Sequence, residues 1–251
     1  MSEMSDEYKQ WLRNTQVKQI SKAIEACATQ VFWRNEHNEL RNGTITCISK
    51  DDQIYGITAD HVAEACIKSY NSDPERTCQI GAANFNPSEM LISRHESYDL
   101  ASFHISKPFA AIAGIVPTKL LSWPPVTPEK GDLVIFGGYP GANRQDRGGT
   151  INFDFVIFGG NLDSASDRNI GMVLNIETSL STSPKRMPPN ADLGGWSGGP
   201  AFRITESPLS YIEVIGVIYE YSHKSEIVLA RPLVLVESEG MLVSQGRNKH
   251  E

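Results

Sequence analysis

The chain is predicted to be all-β, built as two six-stranded antiparallel β-barrels with a helix in front and a short segment behind. Three observations carry that prediction. From residue 29 onward, short runs rich in β-branched and aromatic residues alternate with turn residues, in two series. Between the series lie Pro108, Pro117, Pro124, Pro125 and Pro128, which lack the N–H that a central strand donates. At 251 residues the chain accommodates two compact units of about 100 residues each.

In chain order, Val17, Ile20, Ala23, Ile24 and Cys27 recur at spacings of three and four with no Gly or Pro between them, so 5–27 is read as a helix. It forms a helical extension, 1–28, that either braces the first barrel or docks a regulatory protein. The first barrel, 29–107, takes its strands from 30–33, 43–48, 54–58, 78–80, 90–92 and 101–105. Residues 108–130 connect it to the second barrel, 131–236, with strands at 132–137, 151–157, 172–176, 201–204, 212–218 and 226–230. The polar, Gly- and Ser-rich stretches 141–149 and 159–170, and the proline-bearing 179–192, read as surface loops that border a cleft. Residues 237–251 form a C-terminal tail.

Lys and Arg number 23 against 30 Asp and Glu, a net charge of −7. No overall attraction to nucleic acid or to an anionic membrane follows from that balance. The first ten residues are polar and acidic, without the apolar run of a secretory signal, and no stretch of about 18 apolar residues suggests a membrane span. Cys27, Cys47, Cys66 and Cys78 all lie in the first third, in no C-x-x-C pattern. They are read as reduced thiols of a cytoplasmic protein, and neither metal nor other cofactor is expected.

Chemistry is concentrated in three short segments. Ile57-Thr58-Ala59-Asp60-His61-Val62 is followed by Tyr98-Asp99-Leu100-Ala101 and then by Gly194-Gly195-Trp196-Ser197-Gly198-Gly199-Pro200. A serine hydroxyl is a poor nucleophile at neutral pH. It needs a neutral imidazole to take its proton and a carboxylate to orient that imidazole. His61, Asp99 and Ser197 supply the three groups, and the glycines around Ser197 let backbone N–H groups turn toward a reacting carbonyl oxygen. The segment Gly195-Trp196-Ser197-Gly198-Gly199 also matches the nucleophile elbow of the α/β-hydrolases. That fold places its acid and then its histidine after the serine, and no Asp follows Ser197.

With these motifs in this order, the chain resembles the trypsin-like, chymotrypsin-fold serine peptidases, in particular their bacterial branch, over roughly residues 29–236. The resemblance implies His61 as general base and then general acid, Asp99 as its orienting acid, and Ser197 as nucleophile. It also implies an oxyanion hole from the N–H groups of Gly195 and Ser197. Two positions depart from the pattern. Asp60 stands where a small or amide residue is common, and its side chain is expected to point away from His61. Trp196 stands where digestive relatives carry an aspartate that pairs with a newly cut N-terminus, so activation by such a cut is not expected. By the same resemblance the primary pocket is formed by Ala191 and Asp192 with Tyr219 and Tyr221 on one wall. Ala191 and Tyr221 favour small or apolar side chains, whereas Asp192 or Glu220 could attract a basic one. The expected activity is that of a specific serine endopeptidase acting on protein or peptide substrates through an acyl-enzyme, held in check by a partner. The alternative is a non-catalytic binding protein that retains the two-barrel fold.

Overall fold

The protein is described from a computed structural model covering residues 18–73, 78–123, 125–146, 150–174, 193–205, 211–222 and 224–243. Two antiparallel sheets dominate it, as the all-β prediction requires. The first sheet contains β1 (Ala28–Arg34), β2 (Leu40–Lys50), β3 (Gln53–Thr58), β4 (Gln79–Ile80), β5 (Ala83–Asn84), β6 (Leu91–His95) and β7 (Leu100–Ile105). Their spatial order is β5-β4-β1-β2-β3-β7-β6, and the short β8 (Thr118–Lys119) adds to β2 in parallel. The second unit contains β9 (Leu133–Gly138), β10 (Arg144–Asp146), β11 (Ile151–Phe153), β12 (Val156–Asn161), β13 (Ser164–Ala165), β14 (Ile170–Val173), β15 (Pro200–Thr205), β16 (Tyr211–Ser222) and β17 (Ile227–Pro232). Its sheet runs β12-β9-β15-β16-β17-β14-β13, with β10 and β11 paired apart as a small hairpin.

Successive residues of a strand face opposite sides, and here both sides of the central strands are covered. In β2, Ile45 and Cys47 enter a core enclosed by the first sheet, while Ile48 enters a core shared by both units. In β9, Val134 and Phe136 enter the core of the second sheet, and Ile135 between them enters the shared one. Three apolar clusters result: one inside each sheet and one at the seam. Double-sided burial explains why Val134-Ile135-Phe136 in β9 reads as a continuous apolar run rather than as an alternating one.

Helices frame the sheets. Residues 18–27 form α1, with Ile24 and Cys27 fully buried in the shared core and Lys18, Lys22 and Glu25 exposed on the other face. The second helix, α2 (Asp60–Ser72), falls between the expected strands 54–58 and 78–80, where the sequence reading had no element. Val62, Ala63, Cys66 and Ser69 recur at helical spacing and are buried, the first three in the first core, so a helix begins directly after the extended run of 54–58 ends. A short helix α3 (Pro87–Met90) is capped by the Asn86 side chain, which accepts from the N–H groups of Ser88 and Glu89. The helix α4 (Lys107–Ala113) opens the proline-bearing connection; Ser106 caps its start and Gly114 its end. The expected strand 151–157 is two strands, because 151–153 pair with β10 while 156–161 pair with β9. Gly159 and Gly160, read as loop, lie on that second strand at the edge of its sheet, where weak strand formers are tolerated.

Candidate active site

His61 is the second residue of α2, so the turn from β3 into the helix sets its backbone. Asp99 follows the 3-10 turn Glu96–Tyr98 in left-handed conformation (φ 47°, ψ 53°), a geometry that aspartate tolerates better than most residues. From there its carboxylate meets His61 twice: Oδ2 lies 2.8 Å from Nδ1, and Oδ1 accepts the His61 backbone N–H at 2.9 Å. Burial raises the Asp99 carboxyl, but the side-chain and backbone hydrogen bonds from His61 and the charges of His61 and Arg231 outweigh it. Its pKa is therefore held below the ordinary value. An ionised carboxylate only accepts, so Nδ1 carries the proton and Nε2 is left with the lone pair. The imidazole is 54% exposed while the carboxylate is 26% exposed, so the base is open to a ligand and the acid is shielded behind it.

Asp60, immediately before His61, plays a different part. Its buried carboxylate receives a fork of hydrogen bonds from Arg94, Nε to Oδ1 at 2.6 Å and Nη2 to Oδ2 at 2.9 Å. Arg94 also reaches Glu64 one turn along, at 3.4 Å. The first turn of α2 is thus pinned to β6, and an acid sits at the positive end of the helix.

Ser197 lies in the second unit, on the turn before β15, where the backbone is unusual. Gly195 (φ +96°) and Gly198 (φ +91°) occupy conformations that side chains rarely adopt. Space is denied as well: a Cβ on Gly198 would sit 1.7 Å from the Thr44 carbonyl oxygen, and one on Gly195 2.3 Å from the Asn42 amide nitrogen. Around the turn, Trp196 N–H donates to Leu193 O, Gly198 N–H to Ile218 O and Gly199 N–H to Trp196 O. The N–H groups of Gly195 and Ser197 have no acceptor among the described residues. The two donors, on either side of Trp196, are spent on no acceptor within the turn. The Ser197 hydroxyl donates to the Tyr219 carbonyl at 3.3 Å, and no hydrogen bond joins it to His61.

The first unit holds this turn in place through residues that the sequence reading did not single out. Thr44 N–H donates to Ser197 O at 2.9 Å, the Thr44 hydroxyl to Gly195 O at 2.8 Å and the Thr46 hydroxyl to Gly198 O at 2.8 Å. Thr44 Oγ1 in turn accepts from Tyr139 N–H at 3.0 Å, and Asn42 donates to Tyr139 O at 2.8 Å. The signal was present as Gly43-Thr44-Ile45-Thr46-Cys47, in which hydroxyls alternate with apolar residues on one buried strand. Without a partner surface in view, two threonines at period two are indistinguishable from ordinary strand formers.

Trp196 is buried in the second core, edge-on to Phe158 with ring centroids 5.2 Å apart, and its indole N–H donates to Val156 O at 3.4 Å. Apolar packing therefore anchors the residue between Gly195 and Ser197. Of the four expected pocket residues, Ala191 and Asp192 lie outside the described residues. Tyr219 is the extra residue of a bulge in β16, between the pairs Ile218–Ala230 and Glu220–Leu229. Its ring lies under the Arg231 guanidinium, which is 3.9 Å from the centroid, and its hydroxyl donates to Asn169 at 3.2 Å. Tyr221 is half-buried against the second core. The four cysteines are buried free thiols, no group of metal-binding side chains occurs among the described residues, and none of their helices is long and apolar enough to cross a membrane.

No protein-family model matches the chain, and no curated protein matches it. Among solved structures the chain is similar to a protease of M. tuberculosis in its active form, at 16% identity over 84% of this chain and 78% of that one, TM-score 0.47. A serine endoprotease from Yersinia pestis is similar at 18% identity over 84% of this chain, TM-score 0.49, and the chain spans 60% of its length. A catalytically inactive tobacco etch virus protease in complex with substrate is similar at 11% identity over 89% of each chain, TM-score 0.49.

Proposed function

We propose that the protein is a serine endopeptidase that cleaves peptide bonds of protein substrates through His61, Asp99 and Ser197 and an acyl-enzyme intermediate. The observation that carries this reading is the conjunction of an Asp99-anchored imidazole on one unit with Ser197 on the other, its own amide and that of Gly195 free of any acceptor among the described residues. For acylation the Ser197 hydroxyl leaves the Tyr219 carbonyl by rotation about χ1, from one staggered well to another, and turns to Nε2 of His61. Nε2 takes the proton as Oγ bonds to the substrate carbonyl carbon, and the carbonyl oxygen gains its charge between the Gly195 and Ser197 amides. The imidazolium, steadied by Asp99, then protonates the leaving amine. Water repeats the sequence on the acyl-enzyme and frees the hydroxyl.

Stoichiometric labelling of Ser197 by a fluorophosphonate tests the reading. Wild type is expected to label, and Ser197→Ala to lose both labelling and peptide cleavage while keeping its circular dichroism spectrum. No labelling under any condition would leave a binding protein on the same fold. The thiols of a cytoplasmic protein would remain reduced, in keeping with four buried free cysteines. Activity is restrained by a protein docked on the exposed face of α1, around Lys18, Lys22 and Glu25. Lys18→Glu with Lys22→Glu should leave basal labelling unchanged and remove the partner's effect on it; an unaltered response places docking elsewhere.

A further inference from the structure

One side chain bridges the seam at the point where the acid and the nucleophile are held. Arg231 lies on β17, opposite Val217 of β16. Its Nε donates across the seam to the carbonyl oxygen of Tyr98, the residue before Asp99, at 2.5 Å. Its guanidinium plane covers the Tyr219 ring, and the Tyr219 carbonyl is the acceptor of the Ser197 hydroxyl. One Nη1 donates to Arg168 O at 3.1 Å and to the Asn169 side-chain oxygen, which also receives the Tyr219 hydroxyl. Tyr98 is itself buried and stacked on His95, with ring centroids 4.2 Å apart, so the acceptor that Arg231 grips is fixed in the first unit.

Building on the proteolytic reading, we propose that Arg231 is a positioning residue that keeps the Asp99 segment of the first unit in register with the Ser197-holding bulge of the second. The chemistry suits arginine specifically. A planar fork donates in several fixed directions while one face stacks on an aromatic ring, and lysine supplies the charge without either property. Placement matters because misalignment of reacting groups by about 1 Å costs on the order of a hundredfold in rate. The Arg231 charge is also among those that keep the Asp99 carboxyl ionised.

The test is the rate of fluorophosphonate labelling of the full chain, with the maximal rate separated from the half-saturating concentration. Arg231→Ala is expected to lower the maximal rate by about ten- to a hundredfold with half-saturation unchanged. Millimolar guanidinium should restore part of that rate, and Arg231→Lys should not restore it. Asn169→Ala keeps Arg231 and removes one anchor, giving a smaller loss of the same kind even where Arg231→Ala fails to fold. A maximal rate within twofold of wild type in Asn169→Ala and Arg231→Lys, whatever their melting temperatures, overturns the positioning role. So does a change confined to half-saturation, which would assign Arg231 to probe binding. Absence of labelling in wild type overturns the proteolytic reading itself and is thereby distinguished from failure of the Arg231 proposal alone.

Discussion

Asp99 is the residue on which protonation and folding meet. Its carboxyl is held below its ordinary pKa in the folded chain, so its ionised form stabilises the fold above the unfolded-state value of about 3.9. That contribution is lost as pH falls through the depressed folded value. Asp99→Asn should therefore lower the urea midpoint at pH 7, and the gap to wild type should close below about pH 4. A gap independent of pH would show that the carboxylate charge is not what His61 and Arg231 stabilise. Asp60 invites the opposite experiment, since it is buried and its charge is answered by Arg94. Arg94→Met leaves that carboxylate unpaired, and a loss of about 3–5 kcal/mol in urea unfolding is expected, with part of it recovered in the Asp60→Asn, Arg94→Met double variant. Strict additivity of the two losses would count against the pair.

At the scale of elements, β2 connects the two halves of the site. Its inward residues fill the first core, while Thr44 and Thr46 present hydroxyls to the carbonyls of the nucleophile turn. Thr44→Val is nearly isosteric but leaves Gly195 O and Tyr139 N–H without their partner, so about 1–3 kcal/mol should be lost. Serine labelling should slow beyond what a change in folded fraction explains; an unchanged rate would show that the turn holds its shape without β2. This strand also marks the limit of what a one-dimensional reading can see. The pairing of His61 with Asp99 and the need for glycine beside Ser197 were legible because each lies in a short segment with distinctive neighbours, and the segments come in the order that the resemblance requires. Asp60 was legible as unusual, but neither its helix nor its partner was. Its partner Arg94 lies 34 residues away, and the helix that begins at Asp60 is fixed by packing of Val62, Ala63 and Cys66 onto a core that a local pattern does not contain. Asn42, Thr44 and Arg231 were missed for the same reason, as each acts on a residue about a hundred or more positions away.

Across the whole molecule, His61 and Asp99 stand on one unit and Ser197 on the other, so the seam runs through the proposed site. Its apolar core draws Ile24 from α1, Ile48 and Ile57 from the first sheet, and Ile135, Phe202 and Val217 from the second. Ile24→Ala should cost about 2–5 kcal/mol, and labelling and circular dichroism should be lost at the same urea concentration. Loss of labelling well before the dichroism change would mean that the units separate while each stays folded. The same core also takes Leu233, Leu235, Val236 and Leu242, so it is closed by residues near both ends of the described chain. A ribosome releases these contributors at different times, with Ile24 emerging well before Leu242. A nascent polypeptide that has emerged as far as Ser197 therefore still lacks Leu233, Leu235, Val236 and Leu242, and the seam on which His61, Asp99 and Ser197 are brought together stays open until they arrive.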